Sequence, residues 1–386
     1  MVPEGWSQVE LQDLAVIERG KFSARPRNDP KYYGGEMPFV QTGDVAAANT
    51  YLYDYSQSLN SLGVGVSKVF PAGTIFVTIA ANIGETAITT FEAACPDSVV
   101  AIQPYPEKAD VFWLKMYMET LRNSLDDKAT QNAQKNINLQ VLKPLKIAAP
   151  PYVEQRKIAK ILSTWDEAIA TTERLLANSE QQKKALMQQF LTGKKRLPGF
   201  DGEWREVVLG DLANVSKGKA LSGKDLMEGQ YPVVAGGKRS PYTHDAYTHE
   251  NAITVSASGA YAGYVTYHVY KFWASDCSVV EESDQADIRF LEQLLTWSQN
   301  RIYALQSGGA QPHVYPKDLK LMRFSVPSIG EQKAIAKVLV ACAEAENILA
   351  CEIEVLKQEK KALMQQLLTG KRRVKVDAED TETASA

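Results

Sequence analysis

Lys-Lys-Ala-Leu-Met-Gln-Gln-Phe-Leu-Thr-Gly-Lys occupies residues 183–194, and the same run returns at residues 360–371 with one substitution. The sequence upstream repeats at the same offset of 177 positions, so that Glu154 returns as Glu331. A direct repeat of this length indicates two copies of one structural unit rather than a solenoid of many copies. Two copies of one unit favour an object with pseudo-two-fold symmetry.

Outside the repeat the similarity is weaker but still ordered. Trp6 returns as Trp204, and Gly20 returns as Gly218. The chain therefore alternates between variable and constant blocks, and we expect the variable blocks to share a fold but differ in specificity. The predicted blocks are a first variable domain at 1–149, a helical region at 150–197, a second variable domain at 198–326, a helical region at 327–373 and a disordered acidic tail at 374–386.

Apolar residues in both constant blocks recur at alternating steps of three and four, which is typical of a coiled-coil seam. Glycine follows each block at Gly193 and Gly370, as expected of helix C-caps. The chain connectivity favours an antiparallel pair. The predicted fold class is therefore α+β, with two mixed α/β domains separated by two long helices that form an antiparallel coiled coil. The predicted seam residues are Ile158, Leu162, Trp165, Ile169, Leu176, Leu186, Ile335, Leu339, Leu349, Ile353, Leu356 and Leu363.

Polar residues interrupt this seam, among them Thr172, Lys183, Glu346 and Lys360. One interpretation is that they extend their charged ends to solvent or set the register of the two helices. The other interpretation is that helices of another protein complete the bundle. The sequence alone leaves both open.

The variable blocks read as mixed α/β. Short β-rich runs such as 74–79 and 252–256 alternate with turn residues, and each block has one clear helical stretch. A polar run follows each of these helices, at 130–136 and 307–313. Gln and Asn suit adenine edges, and Lys and Arg suit guanine edges, so these runs and the nearby loops are candidates for reading DNA bases.

The candidate DNA-binding residues belong to these polar loops. For any single loop, a solvated turn is the alternative interpretation, and the doubled pattern favours DNA binding for the loops as a set. In the first block they are Lys21, Ser23, Arg25, Arg27, Gln41, Thr42, Asn82, Gln131, Asn132, Gln134 and Lys135. In the second block they are Lys217, Lys219, Lys238, Arg239, Ser258, Tyr261, Ser307, Gly308, Gln311 and His313.

Composition limits these possibilities. The net charge of −3 argues against a protein that binds nucleic acid alone, so DNA binding would need local basic loops and help from a partner. The four cysteines lack Cys-x-x-Cys spacing and fit reduced core thiols of a cytoplasmic protein. No apolar run has the length of a membrane helix, and the first residues are not typical of a signal peptide.

Catalytic motifs are incomplete. Ala149-Pro150-Pro151-Tyr152 is similar to the motif of adenine methyltransferases, but alanine cannot accept a hydrogen bond from the adenine amino group. Pro96-Asp97 lacks the Glu-x-Lys that a nuclease of this type needs. His244 and His249 lack a third ligand for a metal and are expected to be exposed or to face DNA. The chain is therefore expected to hold no active site and no metal of its own.

The repeat, the Pro-x-x-x-Glu-Gln start of both helical regions and their Leu-Thr-Gly-Lys ends together resemble the specificity subunit of Type I restriction-modification systems, up to about Arg373. The resemblance implies a non-catalytic subunit whose two target-recognition domains read a bipartite asymmetric site in double-stranded DNA. It also implies two methyltransferase subunits that bring S-adenosylmethionine and methylate adenine, and restriction subunits that use ATP and Mg²⁺. The alternative is a coiled-coil scaffold whose α/β domains bind protein or small ligands.

Overall fold

A computed structural model of the chain describes residues 2–80, 82–129, 137–222, 224, 227–236 and 242–376. The chain divides into two compact units. The first unit is the chain up to Thr172 together with the chain from Glu352 onward, and the second is Glu173–Cys351. Each unit thus contains a segment of both long helices. The block boundaries drawn from the repeat stay a prediction, and most of the expected acidic tail, residues 377–386, lies outside the described residues.

The first unit carries three sheets with strand orders β2-β10-β7-β8-β4, β5-β3-β9-β6 and β1-β11. Its strands are β1 (Ser7–Glu10), β2 (Ala15–Arg19), β3 (Tyr33–Phe39), β4 (Tyr51–Leu52), β5 (Gln57–Leu59), β6 (Val69–Phe70), β7 (Ile75–Thr78), β8 (Thr86–Thr89), β9 (Ala93–Ala94), β10 (Val99–Pro104) and β11 (Lys146–Ala149). Its helices are α1 (Leu11–Leu14), α2 (Thr42–Ala47), α3 (Ser61–Gly65), α4 (Val111–Thr120), α5 (Arg122–Lys128) and α6 (Leu139–Leu142), with a 3₁₀ turn at Pro30–Tyr32. Helix α7 (Tyr152–Phe190) starts in this unit.

The core of the first unit forms where helix α4 packs on the central strands of the five-stranded sheet. Strands β7 and β8 are buried along their whole length; β7 reads Ile-Phe-Val-Thr, whereas β8 reads Thr-Ala-Ile-Thr and buries a threonine at each end. Helix α4 begins because the Asp110 side chain accepts a hydrogen bond from Trp113 N at 2.9 Å. This cap fixes the fully buried Trp113 in the core, beside Ile158 and Leu162 of helix α7.

The second unit repeats this plan with strand orders β13-β19-β16-β17, β15-β14-β18 and β12-β20. Its strands are β12 (Arg205–Val208), β13 (Asn214–Lys217), β14 (Tyr231–Val234), β15 (Thr243–His244), β16 (Ala252–Ser256), β17 (Val265–His268), β18 (Trp273–Ala274), β19 (Cys277–Glu281) and β20 (Arg323–Val326). Its helices are α8 (Leu209–Leu212), α9 (Ile288–Trp297), α10 (Gln299–Tyr303) and α11 (Pro316–Lys320), with a 3₁₀ turn at Gly259–Tyr261. Helix α12 (Ile329–Leu367) starts in this unit.

The two long helices have 39 residues each. In the first unit, Ile158 and Leu162 of α7 share a core cluster with Leu367 of α12. In the second unit, Phe190 of α7 shares a core cluster with Leu339 of α12. The segments run antiparallel in both units, and every predicted seam residue is buried or half-buried. The predicted fold class, two mixed α/β domains with long antiparallel helices, is confirmed.

The polar seam residues pair within the helix pair. Lys183 Nζ lies 2.7 Å from Glu346 Oε2 in the second unit, and Lys360 Nζ bonds Asp166 in the first. The Thr172 hydroxyl donates to a carbonyl of its own helix, that of Ala168, at 3.0 Å. These contacts favour the interpretation in which polar seam residues set the register of the two helices.

Two smaller expectations can also be compared with the structure. Cys95 and Cys277 are buried core thiols, as expected. Cys351, however, is exposed on helix α12, because this residue lies outside the predicted seam. None of the described helices combines the length and the apolar character that a bilayer crossing needs.

Candidate nucleic-acid interface

In the first unit, the polar loops meet at one edge of the five-stranded sheet. Strand β2 ends there at Arg19, which pairs with Val100 near the start of β10, and β10 in turn pairs at Val99 with Thr78, the end of β7. Antiparallel neighbours bring the end of one strand beside the start of the next, so the segments that follow β2 and β7 lie next to the segment that precedes β10.

Four backbone hydrogen bonds hold these segments together. They run from Gly20 N to Val99 O at 2.9 Å, from Lys21 N to Cys95 O at 3.0 Å, from Ile79 N to Ser98 O at 3.0 Å and from Ile137 N to Ile79 O at 3.0 Å. We call the surface formed by segments 19–27, 79–80, 82–85, 95–98 and residue 137 the first sheet edge.

The second unit builds the same surface with the same four hydrogen bonds. They run from Gly218 N to Cys277 O at 2.8 Å, from Lys219 N to Ala274 O at 2.8 Å, from Ala257 N to Asp276 O at 3.1 Å and from Val314 N to Ala257 O at 2.9 Å. We call the surface formed by segments 217–219, 256–262, 274–277 and 307–314 the second sheet edge.

A glycine stands at the same place in both edges because the backbone approaches too closely for a side chain. A Cβ atom at Gly20 would lie 2.3 Å from Pro96 O, and one at Gly218 would lie 2.4 Å from Ser275 O. Any other residue would push the neighbouring segment away. The repetition of Gly20 as Gly218 therefore reflects the same backbone packing in the two sheet edges.

On the first sheet edge the basic run after β2 alternates between the core and the solvent. Phe22 and Ala24 are buried, whereas the predicted Lys21, Ser23 and Arg25 are exposed. The Lys21 side chain of this run is exposed, while the exposed Ser23 hydroxyl donates to Val66 O at 3.2 Å and the Arg25 guanidinium donates to Ala24 O at 2.7 Å. The backbone is held by the Ser23 N–H, which donates to Val66 O at 3.0 Å.

Arg27 is also exposed but already has a partner. Its guanidinium donates to Asp97 Oδ2 at 2.7 Å, and this bond is the main reason why the pKa of the Asp97 carboxyl is lowered. Both side chains are more than a third exposed, so the pair is open to competition from an incoming anion. Arg27 can therefore turn from Asp97 to a phosphate.

The other predicted residues of the first unit are placed differently. Gln41 and Thr42 lie at the start of helix α2, where Gln41 N donates to Asp44 Oδ2 at 2.7 Å and the Gln41 side chain donates to Gln57 at 3.1 Å. Asn82 is exposed in the loop between β7 and β8, on the first sheet edge. Gln131, Asn132, Gln134 and Lys135 lie outside the described residues, in the segment that ends at Ile137.

On the second sheet edge the predicted loop closes on itself. Ser307 and His313 exchange two backbone hydrogen bonds, of 2.9 and 2.8 Å, which leaves Gly308 and Gln311 exposed at its tip. Gly308 has φ of +94°, which a side chain would disfavour. The loop lies against a second predicted segment, because Gly259 N donates to Pro312 O at 3.1 Å.

The remaining predicted residues of this edge surround that loop. Ser258 forms a backbone bridge with His313, and the exposed Tyr261 lies in the following turn. Lys217 ends strand β13, Lys219 follows it, and Lys219 Nζ lies 5.2 Å from the centroid of the Trp273 ring. Lys238 and Arg239 lie outside the described residues.

The sequence analysis missed one side chain on the second sheet edge. The Ser258 hydroxyl donates to the carboxylate of Asp276, which was not among the candidate DNA-binding residues. Sequence similarity aligns Asp276 with Asp97, but the shared hydrogen bonds make Ser98 its equivalent, because Ser98 O and Asp276 O accept the matching bonds. A one-residue shift in alignment thus hid a difference in charge between the two edges.

His244 corrects a further expectation. It was predicted to be exposed or to face DNA, but its side chain is buried, with its ring centroid 4.3 Å from that of Trp273. Its Nδ1 atom accepts a hydrogen bond from Ala246 N at 2.9 Å. The prediction was wrong because Trp273, distant in sequence, covers the loop.

Comparison with known proteins decides the family. The profile described as "Type I restriction modification DNA specificity domain" matches residues 3–181 and again residues 201–358. The chain belongs to this family. It is a specificity subunit of a Type I restriction-modification system, the component that recognises a DNA sequence.

Relatives cover nearly the whole specificity subunit. The type I restriction enzyme MjaVIII specificity subunit of Methanocaldococcus jannaschii is 22% identical over 414 residues, covering 97% of this chain and 94% of the relative. The crystal structure of the S subunit of a Type I restriction-modification system from M. genitalium has a TM-score of 0.67 at 17% identity, covering 95% and 97%. A structure from work on complex assembly and conformational transition of the type I system has a TM-score of 0.60 at 18% identity, covering 95% and 98%. The structural likenesses show a shared fold.

The Glu-Gln pair that starts each repeat has a structural role in this specificity subunit. In the first unit, the buried Glu154 accepts from Arg373 at 2.7 and 2.8 Å and from Trp6 Nε1 at 3.2 Å. The buried Gln155 donates to Lys108 O and Pro150 O, both at 3.0 Å. We call Trp6, Glu154, Gln155 and Arg373 the first helix junction.

The second unit has the equivalent group. Glu331 accepts two bonds of 2.6 Å from Arg196. Gln332 donates to Gln285 O and Pro327 O, both at 3.0 Å. The Arg196 guanidinium lies 5.8 Å from the centroid of the Trp204 ring. We call Trp204, Glu331, Gln332 and Arg196 the second helix junction, and both junctions lie where a recognition module meets the long helices.

Proposed function

We propose that each sheet edge binds one half of a bipartite, asymmetric site in double-stranded DNA. One observation carries the proposal: the two units build their edges with the same four backbone hydrogen bonds but place different side chains on them. A shared frame with unlike side chains suits two related surfaces that read two unlike sequences. Lysine and arginine on these edges would contact phosphates and guanines, and glutamine and asparagine would contact adenines.

The proposed contacts on the first half-site come from Lys21, Ser23, Arg25, Arg27 and Asn82. Those on the second half-site come from Lys217, Lys219, Ser258, Tyr261 and the loop of Ser307 to His313. The exposed tyrosine adds a ring that can pack on sugars or bases. Glycine at position 308 allows the loop backbone to approach a groove closely.

Methyltransferase subunits complete the assembly in this proposal. Two of them dock on the long helices, bring S-adenosylmethionine and methylate adenine at N6, and restriction subunits that use ATP and Mg²⁺ join for cleavage. The net charge of −3 supports a need for partners, because a chain with this balance gains little from counterion release on its own. The likeness to a structure from work on type I complex assembly points in the same direction. The specificity subunit itself contributes recognition rather than a reactive group.

A map of methylated adenines tests the proposal. The genome of a host that expresses the chain with its methyltransferase partners should carry one bipartite motif, and that motif should vanish when the specificity subunit is deleted. Moving residues 1–149 into a related specificity subunit should transfer one half of the motif and leave the other half unchanged. An unchanged motif after this exchange would overturn the proposal and favour a scaffold that binds protein or small ligands.

A pair of substitutions separates reading from assembly. Gln311→Ala, at the exposed loop tip, should change the second half of the motif while the complex still assembles. Leu349→Arg, at a half-buried seam position of helix α12, should reduce assembly while any residual methylation keeps the parent motif. Size-exclusion chromatography of the complex and methylation mapping measure the two effects independently.

A further inference from the structure

Asp276 is the one carboxylate that the second sheet edge places among the proposed reading residues, and it is half-buried. Its backbone carbonyl accepts the hydrogen bond from Ala257 N that helps define the edge, and its side chain accepts from the Ser258 hydroxyl. The carboxylate is thereby tied at one oxygen to the segment that also contacts the loop ending at His313. Its position is fixed by strand β19, which starts at the next residue.

A glycine lies close to this carboxylate. A Cβ atom at Gly236 would lie 3.0 Å from Ser258 O and 3.3 Å from Asp276 Oδ2. Gly236, two residues after strand β14, therefore passes close to the carboxylate and itself places no side chain over it. A larger residue at position 236 would crowd both Ser258 and Asp276.

The first sheet edge lacks this feature. The residue equivalent to Asp276 by hydrogen bonding is Ser98, which carries no charge. The neighbouring Asp97 is bonded by a guanidinium, that of Arg27, rather than by a hydroxyl. At equivalent backbone positions, a DNA duplex would therefore face a carboxylate on the second sheet edge and an uncharged serine on the first.

A carboxylate on a surface that binds DNA is repelled by phosphates, so it favours binding only where it accepts a hydrogen bond from a donor on the DNA. In the major groove, the donors on base edges are the exocyclic amino groups, N4 of cytosine and N6 of adenine. We propose that Asp276 reads one exocyclic amino group in the half-site bound by the second unit, with Ser258 holding the carboxylate in place. This inference rests on the proposed function, because it takes the second sheet edge to be a DNA-reading surface.

The test begins with the methyltransferase complex and a duplex that carries its mapped motif. At each cytosine and each non-methylated adenine of the second half-site, a base without the amino group replaces the natural one: pyrimidin-2-one for cytosine or nebularine for adenine. The parent complex should lose about tenfold in affinity at one position, within the range for one mismatched base pair. The replaced base at that position tells whether cytosine or adenine is read.

Asp276→Asn provides the matched protein change, because the amide oxygen can still accept from Ser258 while the other atom becomes a donor. The variant should bind the natural duplex about tenfold more weakly and should bind the amino-free duplex no more weakly than the natural one. Asp284→Asn, an exposed acid in the turn beyond the other end of strand β19, is the control and should leave both affinities unchanged.

The outcomes separate this inference from the proposed function. If Asp276→Asn loses the same factor on natural and amino-free duplexes at every position, the carboxylate only supports the loop and the inference is overturned. If Gln311→Ala changes the second half-site and Asp276→Asn does not, the reading surface stands and only the inference fails. If neither variant changes that half-site, the proposed function fails as well.

Discussion

In the first helix junction the buried Glu154 accepts hydrogen bonds from Arg373 and from Trp6. In the second junction Glu331 accepts hydrogen bonds from Arg196 but not from Trp204. The buried Nε1 atom of Trp204 has no hydrogen-bond partner among the described residues. In both junctions the guanidinium lies 5.8 Å from the tryptophan ring centroid. The repeat has thus kept the carboxylate, the guanidinium and the ring packing, but not the third hydrogen bond.

This difference shows which parts of the repeat are constrained. A buried carboxylate must keep its cation, because an unpaired charge in the interior is costly. The tryptophan contributes mainly apolar area, and its N–H adds a hydrogen bond only where the geometry allows it. Each arginine also follows the end of one long helix while its glutamate starts the other, so each junction closes the antiparallel pair at one end.

Removing the arginines should have the largest effect on this comparison. Arg196→Ala leaves the buried Glu331 without a cation and should lower the free energy of unfolding by more than any other substitution compared below, although solvent around the half-buried guanidinium moderates the loss. Arg373→Ala should cost about 1 kcal/mol less, because Trp6 still donates to Glu154. Urea unfolding followed by circular dichroism measures both. Lys195→Ala and Arg372→Ala, at the exposed cations one position earlier, should change stability little. Equal losses for Arg196→Ala and Arg373→Ala would contradict the role given to Trp6.

The two seam lysines provide the next contrast. Lys360 bonds Asp166, which also accepts from the buried Thr50 hydroxyl at 2.8 Å, whereas Lys183 pairs with Glu346. Asp166→Ala should therefore cost about 3 kcal/mol and Glu346→Ala about 2 kcal/mol, since the first leaves two donors without their acceptor. The midpoints of urea unfolding, at unchanged m-values, measure the difference. A larger loss for Glu346→Ala would show that the Thr50 contact adds nothing.

Between pH 7 and pH 5, acid should weaken the second unit through His268, which lies in that unit. Burial lowers the pKa of His268 to about 4, below the ordinary value of 6.5. The unfolded chain therefore binds the proton first, and the stability that neutral His268 contributes above pH 6.5 is lost as the pH falls towards 4. At pH 5 the loss should be about 2 kcal/mol relative to pH 7.

His268→Gln isolates this effect, because every other titrating group is common to both proteins. The difference in unfolding free energy between the parent and His268→Gln should shrink by about 2 kcal/mol from pH 7 to pH 5. Parallel pH profiles for the two proteins would rule out His268 as the cause of the acid sensitivity.

The smallest expected effect concerns the tryptophans. Trp6→Phe removes a hydrogen bond to a buried carboxylate and should cost about 1–2 kcal/mol more than Trp204→Phe, which removes an N–H group without a partner. Trp6 is buried and Trp204 half-buried, so the loss of buried ring area adds to the same order of effects. Thermal unfolding by calorimetry checks the order, and a greater loss from Trp204→Phe would reverse the assignment of the two junctions.

The helices could be predicted closely because their information is local and periodic. Steps of three and four placed residues such as Leu162 and Leu339 on the buried seam, and Gly193 and Gly370 follow the helix ends with φ of +70° and +68°. The meaning of the Glu-Gln pair could not be predicted in the same way. Its partners, Arg373 and Arg196, lie far away in the sequence, at the opposite ends of the helices.

The candidate interface was only partly predictable for the same reason. The loops themselves stand out as polar runs between strands, but the partner of each side chain comes from another segment. Arg27 meets Asp97 across 70 positions, and Ser258 meets Asp276 across 18. Burial of His244 under Trp273 likewise depends on a contact between two strands that the sequence does not align.

The close approach at Gly20 and Gly218 has a practical consequence for anyone who wishes to retarget this protein. Combinatorial libraries should leave both positions invariant, because a methyl group there collides with the carbonyl of Pro96 or Ser275 and would displace the scaffold on which new side chains are displayed. Substitutions should instead be made at the exposed positions on either side of each glycine, where new side chains can contact different bases while the backbone of the sheet edge stays in place.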